Sequence, residues 1–260
     1  MMEVAAFHHG VGLGFIVAAV AAGFGAGLFN GVAGGGTMLS FPTLLALGIS
    51  PITANISSTI GILPGYLTSI LGFRQEIGRQ RHHLKRLIIP AVVGGMVGAI
   101  ALLTTSPDVF KVLVVILVGL ATLLFAIQPA LAKAIGSSTT KVEHRTAVIV
   151  GVTITSLYGG YFGAGMGIML LVVFGLTLPI SLAESSGLRS VLSITVNALA
   201  AFIFLLRGTP NWVAVACLAP GSLVGGYVGA HLAKRLPTLW LRVIVVVIGC
   251  VTAAVLATKA

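Results

Sequence analysis

The chain has 260 residues, 57% hydrophobic and 8% charged, with 34 glycines and a formal net charge of +10. This composition excludes a soluble globular domain, and apolar runs of about 18 or more residues recur along the whole length, as in a polytopic helical membrane protein. The basic excess does not point to nucleic acid, because Lys and Arg sit in short stretches between apolar runs, where the positive-inside bias places them.

In chain order the apolar segments are 11–33, 37–48, 52–73, 87–105, 110–131, 146–161, 167–180, 183–206, 212–233 and 238–257. No Lys or Arg precedes the first, so it reads as a retained helix rather than a signal peptide. Segments 37–48 and 167–180 are too short to cross a bilayer comfortably. Each follows a glycine cluster, "GVAGGG" at 31–36 and "GGYFGAGMG" at 159–167.

That coincidence marks a duplication. At an offset of 129, Gly31, Gly34, Gly36, Ala54 and Ser57 fall on Gly160, Gly163, Gly165, Ala183 and Ser186. At an offset of 131, "VGGMVGA" (93–99) falls on "VGGYVGA" (224–230) and "KVLVV" (111–115) on "RVIVV" (242–246). The chain therefore divides into a first transmembrane repeat at 1–131, a cytoplasmic linker at 132–145 and a second transmembrane repeat at 146–260.

Loop charge orients these halves. The stretch "RQEIGRQRHHLKR" (74–86) carries five Lys or Arg against one Glu and belongs in the cytoplasm. If each half is a broken, re-entrant pair followed by three spans, residues 132–145 and 233–238 are cytoplasmic too. Eleven of the 15 Lys and Arg then lie inside, Arg242 among them. Each half has an odd number of crossings, so the expected fold is an all-α integral membrane protein of two inverted repeats with both termini outside.

A helix break inside hydrocarbon exposes backbone groups that lipid cannot satisfy, so it must face protein or an aqueous cavity. Paired glycine breaks at matching positions of two halves point to a substrate site at the repeat interface. Glycine lets backbone amides approach a ligand, and half-helices starting at Thr37 and near Ile168 aim their positive dipole ends at the gap, which suits an anion. The candidate contacts are Gly34, Gly35, Gly36, Gly163, Gly165 and Gly167. For the two VGG motifs the simpler reading, close helix packing, is preferred.

The helices after the breaks supply side chains. Asn55 and Ser57 align with Glu184 and Ser186, and Arg189 is the embedded base of the second half. A charge in that setting faces a cavity or a partner. Arg189 suits anion attraction, or else snorkelling or a structural pair. Glu184 suits proton or cation coupling, or else a carboxylate at a helix start. Asn197 faces ligand or bonds between helices. Five residues apart, Glu184 and Arg189 are about 140° apart around a helix and do not form a simple pair.

Tyr66, Tyr158, Tyr161, Trp212 and Trp240 raise cation binding as an alternative, but interface anchoring accounts for most of them. Cys217 and Cys250 read as small buried hydrophobes. His82 and His83 lack nearby Cys or carboxylate ligands, so no metal or other cofactor is expected. Nor is there a nucleophile–base set, so the chain does not read as an enzyme.

"GLFNGVAGGGTMLSFPTLLALGISPITANISSTIGILPGYLTSILGFR" resembles the TauE/SafE family of sulfite exporter-like membrane permeases, through its Gly-rich run, following Pro and Ala-Asn segment. "SLYGGYFGAGMGIMLL", "NALAAFIFLLRG" and "VGGYVGAHLAKRLP" look like its second repeat. The resemblance implies transport of small sulfur-containing anions, such as sulfite or organosulfonates, across the cytoplasmic membrane. It also implies an Asn-Ala-x-Lys-like stretch where Ser186, Gly187, Leu188 and Arg189 stand, so the positive charge is kept and the amide lost. The expected partners are a small anionic substrate and the lipid bilayer, with protons as a coupling ion if Glu184 titrates. An anion channel, or a carrier of another small organic anion, is the alternative.

Overall fold

The computed structural model of the chain describes residues 12–32, 34–136, 143–232 and 238–258. The first half runs α1 (Leu13–Val32), α2 (Thr37–Ala46), α3 (Pro51–Gly61), α4 (Leu63–Ser69), a 3-10 turn (Ile70–Phe73), α5 (Arg74–Arg79), α6 (Arg81–Thr104) and α7 (Pro107–Gly136). The second runs α8 (Arg145–Tyr161), α9 (Met166–Thr177), α10 (Leu182–Arg207), α11 (Trp212–Leu232) and α12 (Thr238–Ala257). Among the described residues there is no strand, and six helical stretches are long and apolar enough to cross a membrane. Outward-facing side chains such as Ile116, Leu123, Val247 and Val251 are exposed and apolar, as a lipid-facing perimeter requires.

The element order repeats: a helix, a glycine break, a short helix, then three longer helical stretches. The two breaks close alike. The amide of Gly34 donates to Phe29 O at 2.9 Å, and that of Gly163 donates to Tyr158 O at 3.3 Å, the same bond 129 residues later. Gly34 (φ 71°) and Gly163 (φ 79°) both occupy the left-handed region that ends a helix.

Packing exchanges between the halves. α1 lies along α11 and α8 lies along α6, so each repeat's first helix is gripped by the other repeat's VGG motif. A Cβ at Gly27 or Gly225 would collide with the partner backbone between α1 and α11, and one at Gly94 or Gly98 would do the same between α6 and α8. These glycines serve helix approach, as small residues do in membranes. α7 packs on α12, α2 on α12, and α9 on α7.

Two segments have more local structure than their composition gives. The basic stretch 74–86 is helical, as α5 and the first turns of α6, rather than an open loop. Segment 52–73 is a chain of short helices interrupted at Ile62, just before Pro64, which lacks the N–H a continuous helix needs. Of the linker, 132–136 extends α7, while 137–142 lie outside the described residues, as do Lys234, Arg235 and Lys259 and the side chains of Trp240 and Arg242.

Candidate functional site

The two breaks meet. A methyl group at Gly167, in the first turn of α9, would lie 2.8 Å from Gly34 O. One at Gly34 would lie 2.8 Å from Arg189 Nη1 and 3.2 Å from the Gly167 Cα. Arg189 therefore reaches from the second turn of α10, in the second half, to the break of the first half. Its side chain is 1% exposed, and neither Nη1 nor Nη2 has a hydrogen-bond partner.

Further unpartnered polar groups gather on the surrounding elements. Thr37, the first residue of α2, has a buried and unbonded Oγ1. A methyl group at Gly163 would lie 3.6 Å from both Thr37 Oγ1 and Asn197 Oδ1, so one residue from each half flanks the second break. Ser193, one turn beyond Arg189 on α10, has an unbonded hydroxyl, and Asn197, a turn further, donates from Nδ2 to Ser193 O at 2.8 Å. Tyr66 of α4 is buried beside both Arg189 and Asn197.

The first break is held by a side chain. Asn30 Oδ1 accepts from the amides of Gly35 at 3.1 Å and Gly36 at 2.8 Å, leaving Asn30 Nδ2 unpartnered. Those two amides, expected to face a ligand, already have an acceptor. At the second break the Tyr158 hydroxyl donates to Ala164 O at 2.6 Å, and the amides of Ala164, Gly165 and Gly167 have no acceptor among the described residues.

Asn55 joins the halves, donating from Nδ2 to Tyr161 O at 2.9 Å, with Oδ1 buried and unbonded. Ser57 stands apart: its Oγ accepts from Asn211 N at 2.8 Å, at the start of α11. The Ser186 hydroxyl donates to Leu182 O of its own helix at 2.9 Å. Glu184 forms a capping box with Ser181, its Oε2 accepting from Ser181 N at 2.9 Å and from Ser181 Oγ at 2.8 Å. That is the geometry of a helix-start carboxylate.

Tyr66, Tyr158 and Tyr161 point inward or bond within the protein. Tyr66 is buried, Tyr158 binds the second break, and the Tyr161 hydroxyl donates to Thr105 Oγ1 at 3.2 Å, whereas Trp212 is exposed. Cys250 is exposed and Cys217 half-buried, because both sit on outward helix faces. Among the described residues no cluster of His, Cys, Asp or Glu could hold a metal.

Sequence reasoning passed over Asn30 and Ser193, and took Thr37 only as a helix start. Asn30 had a signal, since an Asn at the end of a helix, beside glycines, commonly accepts from nearby backbone amides.

The fold defines a multi-pass α-helical membrane protein whose two halves each carry a helix break, the breaks touching beside a buried arginine. The profile of the sulfite exporter TauE/SafE family matches residues 19–256, and the chain belongs to that family of membrane transporters. It is similar to the "Probable membrane transporter protein YfcA" of Escherichia coli (strain K12), 25% identical over 236 residues that cover 88% of this chain and 84% of that protein. It is also similar to a "Probable membrane transporter protein" of Haemophilus influenzae, 23% identical over 240 residues, 91% of this chain and 92% of that one. "Probable membrane transporter protein ORF9" of Sinorhizobium sp is 23% identical over 212 residues, 82% of this chain and 80% of that one.

Proposed function

We propose that the chain is a secondary transporter, not an enzyme, that exports small sulfur-containing anions such as sulfite or organosulfonates across the cytoplasmic (inner) membrane. The observation that carries this reading is Arg189, a buried guanidinium with both terminal nitrogens unpartnered, set against the break of the opposite half. A buried charge is costly unless paired, and an anion is the natural pair.

The surrounding groups favour the same chemistry. The unpartnered groups that can donate are Arg189 Nη1 and Nη2, Asn30 Nδ2, the hydroxyls of Thr37, Ser156 and Ser193, and the second-break amides, while Asn55 Oδ1 can only accept. Such a donor-rich lining suits oxyanion oxygens. The anion lies between the halves, and access from either side requires the contact between Gly34 and Gly167 to part. The repeated element order and the exchanged packing support two inverted repeats that rock about this contact.

The test is uptake and efflux in proteoliposomes over sulfite, thiosulfate, sulfonates and carboxylates, with and without a pH gradient. Saturable sulfite or sulfonate flux supports the reading. Flux that never saturates indicates a channel, carboxylate-only flux another carrier, and absence of flux a non-transporting protein.

A further inference from the structure

The charge balance at Arg189 goes one step beyond the anion-transport reading, on which it rests. The chain has five acidic residues. Asp108 pairs with Lys111 at 3.2 Å, Glu143 with Arg86 at 2.9 Å, and Glu184 is bound by Ser181. Glu76 has an interaction of its own, Arg189 Nη1 and Nη2 have no hydrogen-bond partner, the titratable group beside Arg189 among the described residues is Tyr66, and Glu3 lies outside the described residues.

The other unpartnered groups, on Thr37, Ser156, Ser193, Asn30 and Asn55, are neutral. They can solvate an oxygen but cannot offset a charge. Among the described residues the site therefore carries a single positive charge with no protein counter-charge. One negative charge on the ligand cancels it. A second would be buried without compensation, which a low-dielectric interior penalises heavily.

We propose that the site selects monovalent oxyanions, an alkylsulfonate or hydrogen sulfite, and rejects divalent sulfite and sulfate. Sulfite then crosses carrying its own proton, so its transport depends on pH through the ligand's ionisation. No titrating carboxylate in the protein is needed.

The experiment is titration calorimetry on the purified full chain in detergent, with methanesulfonate, total sulfite and sulfate, from mildly acidic to mildly alkaline pH. Methanesulfonate is expected to bind with one affinity throughout. Total sulfite should weaken in proportion to its hydrogen sulfite fraction, and sulfate should bind at least about a hundredfold more weakly than methanesulfonate. Sulfate binding comparable to methanesulfonate, or pH-independent sulfite binding, overturns the selectivity while leaving anion transport standing. If none of the three binds, the transport reading fails and this one with it. Arg189→Gln should abolish methanesulfonate binding, and its retention would place the anion elsewhere and overturn the proposal.

Discussion

Arg189 of the second half lies against Gly34 of the first, so closely that a methyl group on Gly34 would sit 2.8 Å from Nη1. Gly34 also has φ 71°, where a side chain costs about 1–2 kcal/mol. Gly34→Ala should therefore lose stability and also displace the guanidinium. Gly48, at φ 85° with nothing within 4 Å of a methyl group, separates the two effects. Both alanine variants should unfold at lower temperature in detergent, but only Gly34→Ala should weaken sulfonate binding.

Substitutions at Arg189 distinguish a binding role from a structural one. Arg189→Gln removes a buried charge that no protein group compensates, so thermal stability should hold or rise while saturable anion flux disappears. Arg189→Lys keeps the charge and loses the planar fork, so it should bind about tenfold or more weakly with some flux retained. A marked fall in stability of Arg189→Gln would identify the arginine as a structural element instead.

Ser57 was a candidate contact by alignment with Ser186, yet its hydroxyl accepts the Asn211 amide at the start of α11. Ser57→Ala leaves that buried N–H without an acceptor and should cost about 1–3 kcal/mol. The anion dissociation constant should be unchanged, as calorimetry on the solubilised variant would show.

Much of the architecture was legible because membrane helices advertise themselves by length and apolarity, and because the breaks are glycine clusters at matched positions. Thr37 as the start of α2, the short segment after Gly165, and Arg189 as the embedded base all follow from those two patterns. The remainder depended on which side chains the tertiary packing turns inward. Ser57 and Ser186 align but bond to backbone, and Tyr66, which could have anchored at an interface, is buried beside Arg189. Asn30 immediately precedes the first glycine cluster, but its role became visible only through the two amides it accepts. The interruption at Ile62 has no counterpart in α10, so duplication alone could not predict it.

Glu184 offers a test of coupling. Its carboxylate accepts from both the amide and the hydroxyl of Ser181, and Ser181 in turn caps the start of α10. Glu184→Ala should cost about 1 kcal/mol through the lost capping box. The pH dependence of sulfite flux should match that of the unsubstituted protein, since it follows the ligand. A flattened pH profile would instead assign Glu184 the coupling role.

Asn30 makes the strongest stability prediction, because one oxygen accepts two buried backbone donors at the first break. Asn30→Ala orphans the amides of Gly35 and Gly36, and each buried unsatisfied donor costs about 1–3 kcal/mol, so the variant should be the least stable of those considered. Asn30→Asp restores both acceptors, and its thermal stability should approach that of the unsubstituted chain. It also introduces a carboxylate at the break that Arg189 touches, where it would supply the missing counter-charge and repel an incoming anion. Asn30→Asp should therefore be well folded and transport-deficient, measured as normal unfolding temperature with little sulfonate flux. A stable Asn30→Asp protein with full flux would show that charge at the breaks does not govern anion binding.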